Sequence, residues 1–109
     1  MNNFELVCIL KPDIGKQYHN DINDKMEKTI DKDGGKIIDQ EIWGLRELAY
    51  PINKSKKGFY IFFQLNINSK NLDELNKLLT LEENVIRHLA IKVDKHEKLP
   101  SIMKEQKVK

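Results

Sequence analysis

The stretch that decides the fold is residues 43–60, with the sequence WGLRELAYPINKSKKGFY. Apolar side chains recur at alternate positions on both sides of its centre, which is the period of a β-strand. Between the two apolar runs, residues 53–58 contain three lysines, no acid and a glycine, Gly58. We therefore predict a long hairpin with a cationic turn at residues 53–58, in which Gly58 lets the backbone reverse.

The segment before this hairpin changes from a strand period to a helix period. Every residue from 4 to 10 except Glu5 is apolar, so both faces of this predicted strand are apolar. Pro12 ends the run. Apolar residues then recur every fourth position from Ile14 to Ile30, and a Gly-Gly pair follows at 34–35. This pattern predicts a strand and then an amphipathic helix with one apolar stripe, which ends at the glycine pair.

The segment after the hairpin predicts a second helix and a last strand. Four leucines between residues 72 and 79 form an apolar stripe, and Asn71 with Glu74 resembles a capping pair at its start. Residues 85–93 then predict a strand. The resulting order, βαββαβ, predicts an α+β fold of the ferredoxin-like, split βαβ type, with two helices on one face of a four-stranded antiparallel sheet.

Two helices cover only one face of such a sheet, yet the predicted strands are apolar on both faces. In the third strand, every residue from 59 to 63 is apolar or aromatic. In the fourth strand, Leu89 and Ile91 alternate with His88 and Ala90. The second face therefore predicts a protein partner, with partial closure by the tail and the hairpin as the alternative. A bulge at Gly44 could exchange the two faces.

The same residues resemble a known family, that of the sixth protein of the bacterial small ribosomal subunit. The family motif is matched here by Trp43, Gly44, Arg46, Leu48, Ala49, Tyr50, Ile52 and Lys54. Shorter matches lie at Phe4-Glu5, Lys11-Pro12-Asp13, Gly34-Gly35-Lys36 and Asn84-Val85-Ile86-Arg87. The resemblance extends from the start of the chain to about residue 93.

The resemblance implies a structural role without catalysis or a cofactor. Members of this family bind the central domain of 16S-type ribosomal RNA together with the eighteenth small-subunit protein while the platform assembles. The implied location is the small ribosomal subunit, in the cytoplasm or in an organelle that has its own ribosomes.

Site residues are assigned from the motif and from local charge. Arg46, Lys54 and Arg87 match basic positions of the family, and local charge adds further lysines. The candidate RNA-binding set is Arg46, Lys54, Lys56, Lys57, Arg87 and Lys92. The candidate partner-protein surface is Trp43, Leu48, Tyr50, Leu89 and Ile91, with burial in the core as the alternative for Leu48 and Tyr50.

Composition limits the other possibilities. The chain has 109 residues and a formal charge of +2, a size that predicts one domain. We place that domain at 1–95 and a basic, flexible tail at 96–109. A single cysteine, Cys8, excludes an internal disulfide or a CxxC metal site, and it favours a buried thiol in a reducing compartment. We expect no signal peptide and no membrane span.

Three alternative functions have partial support. Lys57-Gly58-Phe59 begins like the RNP1 strand of RNA-recognition domains, but Tyr60 and Gln64 depart from that pattern. Acylphosphatase-like enzymes share the topology, but residues 11–16 contain no arginine to bind an anion, and the three histidines lack metal-ligand spacing. A small-ligand-sensing or self-associating module of the same fold remains the alternative to a ribosomal protein.

Overall fold

A computed structural model of the chain describes residues 1–13, 15–32, 34–52 and 55–96. In chain order the elements are β1 (Asn2–Leu10), α1 (Gly15–Asp31), β2 (Lys36–Ile52), β3 (Ser55–Ile67), α2 (Ser69–Leu81) and β4 (Val85–Val93). This is the predicted βαββαβ order, and the predicted ferredoxin-like α+β fold is confirmed.

The four strands form one antiparallel sheet in the order β2-β3-β1-β4. The inner strand β1 is paired along its whole length with residues 59–67 of the other inner strand, β3, with Leu6 opposite Phe63. On the other side of β1, Leu6 lies opposite Ala90 of β4. Because side chains alternate across a sheet, Leu6, Phe63 and Ala90 point to the same face.

That face carries the hydrophobic core, since it packs against both helices. The even-numbered residues of β1 and the odd-numbered residues of β3 are buried there with one stripe from each helix. The core consists of Phe4, Leu6, Cys8, Leu10, Ile22, Met26, Ile30, Phe59, Ile61, Phe63, Leu65, Ile67, Leu75 and Leu79.

Helix α1 has the predicted apolar stripe and the predicted end. Ile22, Met26 and Ile30 are fully buried. After the helix, Gly34 has a φ of +76°, a left-handed conformation that favours glycine. The backbone N–H of Gly35 then donates to the Ile30 carbonyl at 3.1 Å, which satisfies one carbonyl at the end of the helix.

The start of α2 differs from the prediction. The N-cap is Asn68, whose side-chain oxygen accepts from the backbone N–H of Asn71 at 2.7 Å. Asn71 is not a cap but a fully buried side chain, and its amide donates to the Thr29 carbonyl of α1 at 2.9 Å. The proposed pair of Asn71 and Glu74 was therefore wrong. Three Asn and Ser residues precede the leucine stripe, and only the tertiary contact with α1 distinguishes their roles.

The hairpin turn is also shorter than predicted. β2 continues to Ile52 and β3 begins at Ser55, so Lys56, Lys57 and Gly58 are strand residues. Gly58 pairs with Arg46 and is buried. The predicted use of Gly58 to reverse the backbone was wrong, because pairing between the two long strands continues past it.

A different glycine bends the hairpin. Gly44 has a φ of +81°, and the β2–β3 register shifts between Ile42 and Gly44. A glycine in the left-handed region at an extra residue is typical of a β-bulge. The possible bulge noted from the sequence is therefore present, and it places Trp43 on the face opposite the helices.

Candidate functional site

The face of the sheet opposite the helices is called the open face below. Strand pairing assigns its members: Val7 lies opposite both Phe62 and Leu89, and Glu41 of β2 lies opposite Phe62. Arg46 belongs to the same face because it pairs with Gly58, two residues before Tyr60 on β3. Its members include Glu5, Val7, Ile9, Glu41, Arg46, Tyr60, Phe62, Gln64, Arg87, Leu89 and Ile91. Trp43 is placed on this face by its stacking on Phe62, and Leu48 by its position next to Gly58.

An aromatic cluster occupies the β2–β3 half of the open face. The Trp43 ring stacks on Phe62 with a centroid distance of 5.2 Å and on Tyr60 at 6.3 Å. The guanidinium carbon of Arg46 lies 5.0 Å from the Trp43 centroid, and the indole Nε1 donates to Glu41 Oε1 at 2.6 Å. The cation–π contact and the hydrogen bond fix the orientation of the indole from two sides.

This cluster is closed, although no described helix covers it. Phe62 and Arg46 are each 7% exposed, and Glu41 is 5% exposed. The sequence predicts Arg46 as a phosphate contact, but the structure uses its guanidinium to pack on Trp43. Leu48, a predicted partner residue, is half-buried, and its Cδ2 lies next to Gly58.

The other half of the open face is exposed and contains a hollow. Leu89 is 57% exposed and Ile91 is 55% exposed. Between Leu89 and Trp43 lies a hollow of about 340 Å³, and Val7 and Tyr60 are among its lining residues. The remaining lining residues are Ile9, Arg87 and His88, although the His88 ring lies on the helix-covered side, with its Nε2 3.3 Å from Thr80 Oγ1. An open apolar depression beside exposed aliphatic side chains is suited to a side chain from a partner.

The predicted basic residues fall into two groups. Arg87 pairs with Ile9, near the end of β1 where the β2–β3 hairpin also extends, and Lys56 and Lys57 are exposed on that hairpin. Lys92 is also exposed but pairs with Phe4, at the opposite end of the sheet. Proximity along the sheet therefore groups Arg87 with the hairpin lysines and separates Lys92 from them.

Two of the predicted site residues cannot be placed. Lys54 lies outside the described residues, and so does the side chain of Tyr50. Their assignments stay predictions from the motif.

The turn before Arg87 is held by contacts from α1 and from Lys11, the residue that follows β1. The Glu82 carboxylate accepts hydrogen bonds from the Tyr18 hydroxyl and from Lys25 Nζ, the latter at 2.8 Å. These hydrogen bonds lower the pKa of Glu82. The Lys11 N–H donates to the Asn84 carbonyl at 3.0 Å. These contacts fix the backbone just before β4, and so they fix the position of Arg87 near the start of that strand.

The cysteine and the acidic and histidine side chains were compared with the needs of nucleophilic and metal sites. Burial raises the pKa of the Cys8 thiol to about 12, so it is neither a thiolate nucleophile nor a ready metal ligand. Within residues 1–13, 15–32, 34–52 and 55–96, no group of three or more His, Cys, Asp or Glu side chains is placed to hold a metal ion. None of the helices in these ranges is long and apolar enough to cross a membrane.

Sequence reasoning missed several members of the open face. Glu41, Tyr60 and Phe62 were not assigned to a site, yet they contact or support Trp43. Val7 lines the hollow and was also missed. The signal was present, because residues 59–63 are apolar at both parities, but strand pairing was needed to show which parity lies opposite the helices.

Comparisons with known proteins agree with this fold over nearly the whole chain. The family model for ribosomal protein S6 matches residues 3–92. A protein named small ribosomal subunit protein bS6 from Rickettsia prowazekii is 41% identical over 107 residues, covering 97% of this chain and 88% of that protein. A protein of the same name from Cereibacter sphaeroides is 35% identical over 107 residues, covering 98% and 81%.

Two solved structures are similar to the chain. The 30S ribosomal protein S6 from Thermotoga maritima has a TM-score of 0.76 and 25% identity, covering 84% of this chain and 87% of that one. The C-terminal domain of the MgtC protein from Mycobacterium tuberculosis has a TM-score of 0.57 at 8% identity, covering 86% and 89%. The second likeness concerns the fold alone.

Proposed function

Because this chain belongs to the ribosomal protein S6 family, we propose that it binds the central domain of 16S-type ribosomal RNA together with the eighteenth small-subunit protein as the platform assembles. At the coarser level, it is a structural, non-enzymatic protein of the small ribosomal subunit. The observation that carries the finer proposal is the open face, where an apolar hollow and exposed aliphatic side chains adjoin a basic rim.

The partner protein is assigned to the open face. Leu89 and Ile91 are more than half exposed, and the hollow beside Leu89 is large enough for an inserted apolar side chain. Trp43 forms the opposite wall and is held by Glu41 and Arg46. Rigid aromatic side chains next to an open apolar pocket are typical of the residues that contribute most to interface energies.

Phosphate contacts are assigned to the rim at the Arg87 end of the sheet. Arg87 lies in the wall of the hollow, so a protein seated there and an RNA strand at Arg87 would adjoin one another. Lys56 and Lys57, exposed on the adjacent hairpin, would add point charges that tolerate varied phosphate geometry. Partner and RNA would then bind cooperatively, since each contributes surface at the same edge.

Arg46 acts in this proposal through Trp43. Its guanidinium packs against the indole and its side chain is 7% exposed, so most of its surface is unavailable to RNA. We assign it as a positioning residue of the partner surface. Lys54, Tyr50 and Leu48 keep the roles that the motif predicts, and Lys92 is a separate phosphate contact at the other end of the sheet.

The test is a titration of the chain, the eighteenth small-subunit protein and the RNA junction at several salt concentrations, with each component omitted in turn. Arg87→Gln should weaken ternary binding and reduce the salt slope by about one phosphate contact. Lys77→Gln is the matched control, because Lys77 is an exposed residue of α2, outside the open face. Its salt slope should equal that of the unmodified chain.

Leu89→Ser separates the two surfaces. It should weaken binding of the partner protein while leaving the salt slope of RNA binding unchanged, since it removes no charge. If no combination of components binds, the assignment to this RNA and this partner is wrong, and the ligand-sensing or self-associating alternative replaces it. If Arg87→Gln and Lys77→Gln have equal salt slopes, Arg87 is not a phosphate contact.

A further inference from the structure

The hollow of the open face lies over β1, between side chains of β3 and β4. Ile9 pairs with Tyr60 on one side and with Arg87 on the other, and Val7 lies opposite Leu89. All five residues line the hollow. Val7 and Ile9 have shorter side chains than these neighbours, so they form the floor, while β3 and β4 supply the two walls. The backbones of those two strands are about 10 Å apart, which is twice the spacing of adjacent strands.

The two walls differ in their chemistry. On the β3 side the wall is aromatic, because Tyr60 is joined there by Trp43 of β2, whose ring lies 6.3 Å away at an interplanar angle of 21°. On the β4 side the wall combines the aliphatic Leu89 with the cationic Arg87. None of the described residues that line the hollow is acidic. An occupant would therefore meet aromatic rings on one side and a cationic side chain on the other.

Described side chains cover other parts of the open face but not the hollow. From the end of β4, His96 crosses back over the sheet to β3, where its Nε2 donates to the Leu65 carbonyl at 2.9 Å. The neighbouring open-face residue, Gln64, is only 4% exposed. Nearer the hairpin, Phe62 is 7% exposed and stacks with Trp43. The hollow is thus a bounded site and not one point on a uniformly exposed face.

The size of the hollow suits one aromatic ring. Its volume is about 340 Å³. An apolar cavity of about 150 Å³ is large enough to bind benzene. The hollow therefore has room for a phenol or indole ring together with the Cβ that joins the ring to a backbone outside.

The chemistry of the walls favours an aromatic ring over an aliphatic chain. Pairs of aromatic rings attract one another beyond the area that they bury, and a guanidinium packs favourably on the face of an electron-rich ring. The open face already contains such a pair, since the Arg46 guanidinium carbon lies 5.0 Å from the Trp43 centroid. An aliphatic side chain would leave these contacts unmade, and a cationic side chain would be repelled by Arg87.

We propose that the hollow is a subsite for one electron-rich aromatic side chain of the partner protein, a tyrosine or a tryptophan, with its ring between the Trp43–Tyr60 wall and Arg87. The identity of that partner rests on the proposed function, whereas the binding of a free ring does not. A guanidinium packs on a ring with its planar face and donates from the N–H groups at its edge. Arg87 would therefore contact the inserted ring and an RNA phosphate at the same time.

Two small probes test the preference in the full chain alone. N-acetyltyrosinamide and N-acetylcyclohexylalaninamide carry rings of similar size, and only the first ring is aromatic. The tyrosine probe should bind about three- to tenfold more tightly. Its ring current should shift the methyl resonances of Val7 and Leu89 but not those of Leu81, which is 85% exposed at the end of α2. Equal affinities for the two probes, or equal shifts at all three residues, would overturn the proposal.

Variants then locate the bound ring. Val7→Phe fills the hollow from its floor and should abolish binding of the tyrosine probe, and Arg87→Gln should reduce the preference for that probe over the cyclohexyl one. Leu81→Phe is the matched control, because it adds the same ring at an exposed position outside the open face. If Val7→Phe does not fold, Leu89→Ser takes its place by removing part of the opposite wall. Equal probe binding by the hollow variant and the control would show that the ring lies elsewhere.

An RNA base is the competing occupant, and adenosine monophosphate is the probe for it. If this nucleotide binds more tightly than the tyrosine probe and shifts the same methyl groups, the hollow is a base-binding site and the proposal is wrong. Weaker binding of the nucleotide supports a protein side chain.

Measurements with the eighteenth small-subunit protein separate this inference from the proposed function. Its tyrosine and tryptophan residues are replaced by leucine one at a time, and one replacement should weaken binding to the chain by about tenfold. In the Val7→Phe chain that replacement should have no further effect. If the partner binds and no replacement matters, the subsite is wrong and the proposed function stands. If the partner does not bind but the tyrosine probe does, the proposed function fails and the subsite stands.

Discussion

The core on the face of the sheet under the helices is built from apolar side chains, whereas the open face combines aromatic rings with charged groups. Under the helices, Leu6 and Leu65 are completely buried. On the open face, Phe62 is 7% exposed beneath Trp43, but Leu89, two strands away, is 57% exposed. A face that is half closed by its own side chains supports a stable fold and still presents a surface for another chain.

The electrostatic environments of the two faces differ as well. Under the helices, Cys8 is buried among apolar residues, which raises the pKa of its thiol to about 12. On the open face, Glu41 and Arg46 are nearly as buried, but each contacts Trp43 through a polar or cation–π interaction. On the open face, these contacts with Trp43 offset the cost of removing the Glu41 and Arg46 side chains from water.

The largest difference in unfolding free energy should be between two Leu→Ala variants, one in the core and one on the open face. Leu75→Ala truncates a completely buried side chain of α2 and should cost about 2–5 kcal/mol of unfolding free energy. Leu89→Ala deletes the same atoms from a residue that is 57% exposed and should change stability by only about 0.5 kcal/mol. Urea unfolding followed by circular dichroism measures both. Equal losses would mean that the two faces are packed alike.

A smaller effect should distinguish two glycines of the hairpin. A Cβ on Gly58 would lie 2.4 Å from Ile9 Cγ2, so Gly58→Ala should destabilise the chain by about 1–3 kcal/mol through overpacking. A Cβ on Gly44 would meet no atom within 4 Å, and its cost of about 1–2 kcal/mol arises from the positive φ.

The two causes can be separated by a second pair of variants. Gly44→Asn should cost less than Gly44→Ala, because Asn tolerates the left-handed region. Ile9→Ala combined with Gly58→Ala should cost less than the sum of the two single losses, because it removes the Cγ2 that the new methyl group meets. If Gly44→Asn and Gly44→Ala are equally destabilised in urea unfolding, backbone conformation is not the cause at residue 44.

The smallest effect should be a pH dependence at the helix-covered side of β4. His88 lies on that side, and its Nε2 is 3.3 Å from Thr80 Oγ1 of α2. Burial lowers the pKa of His88, so the unfolded chain takes up this proton first as pH falls. The contribution of neutral His88 to the unfolding free energy is fully present above about pH 6.5, the ordinary pKa of histidine. It is lost as the pH falls below that value.

His88→Gln tests this dependence because glutamine can keep a hydrogen bond to Thr80 but does not titrate. Its unfolding free energy should fall less steeply than that of the unmodified chain as pH drops from 7 towards 5. A matched slope in the two chains would show that His88 does not contribute. Glu82 acts at lower pH, where loss of its charge removes its ion pair with Lys25.

Much of the fold could be predicted from local pattern. The residues 85–93 predicted as the last strand are those of β4, and the stripe of Ile22, Met26 and Ile30 packs on the sheet. The errors fall where local signals compete. Asn68, Ser69 and Asn71 are all suitable helix caps, and the contact of Asn71 with α1 decides among them.

The candidate site was predictable in part. Trp43, Leu89 and Ile91 were assigned from the motif and the strand pattern, and all three lie on the open face. Arg46 shows what could not be predicted. The motif predicts only that residue 46 is basic. The packing of its guanidinium on Trp43 depends on the bulge at Gly44, which the structure shows.

By itself, the sequence determined the order of elements, the two helix stripes and an excess of apolar strand residues, because these depend on periods of two and 3.6 along the chain. Only the tertiary structure decided which parity lies opposite the helices, that Arg46 is buried, and that residue 96 crosses back over the sheet. These features depend on strand register and on contacts between residues up to 91 positions apart, and such contacts have no local signal.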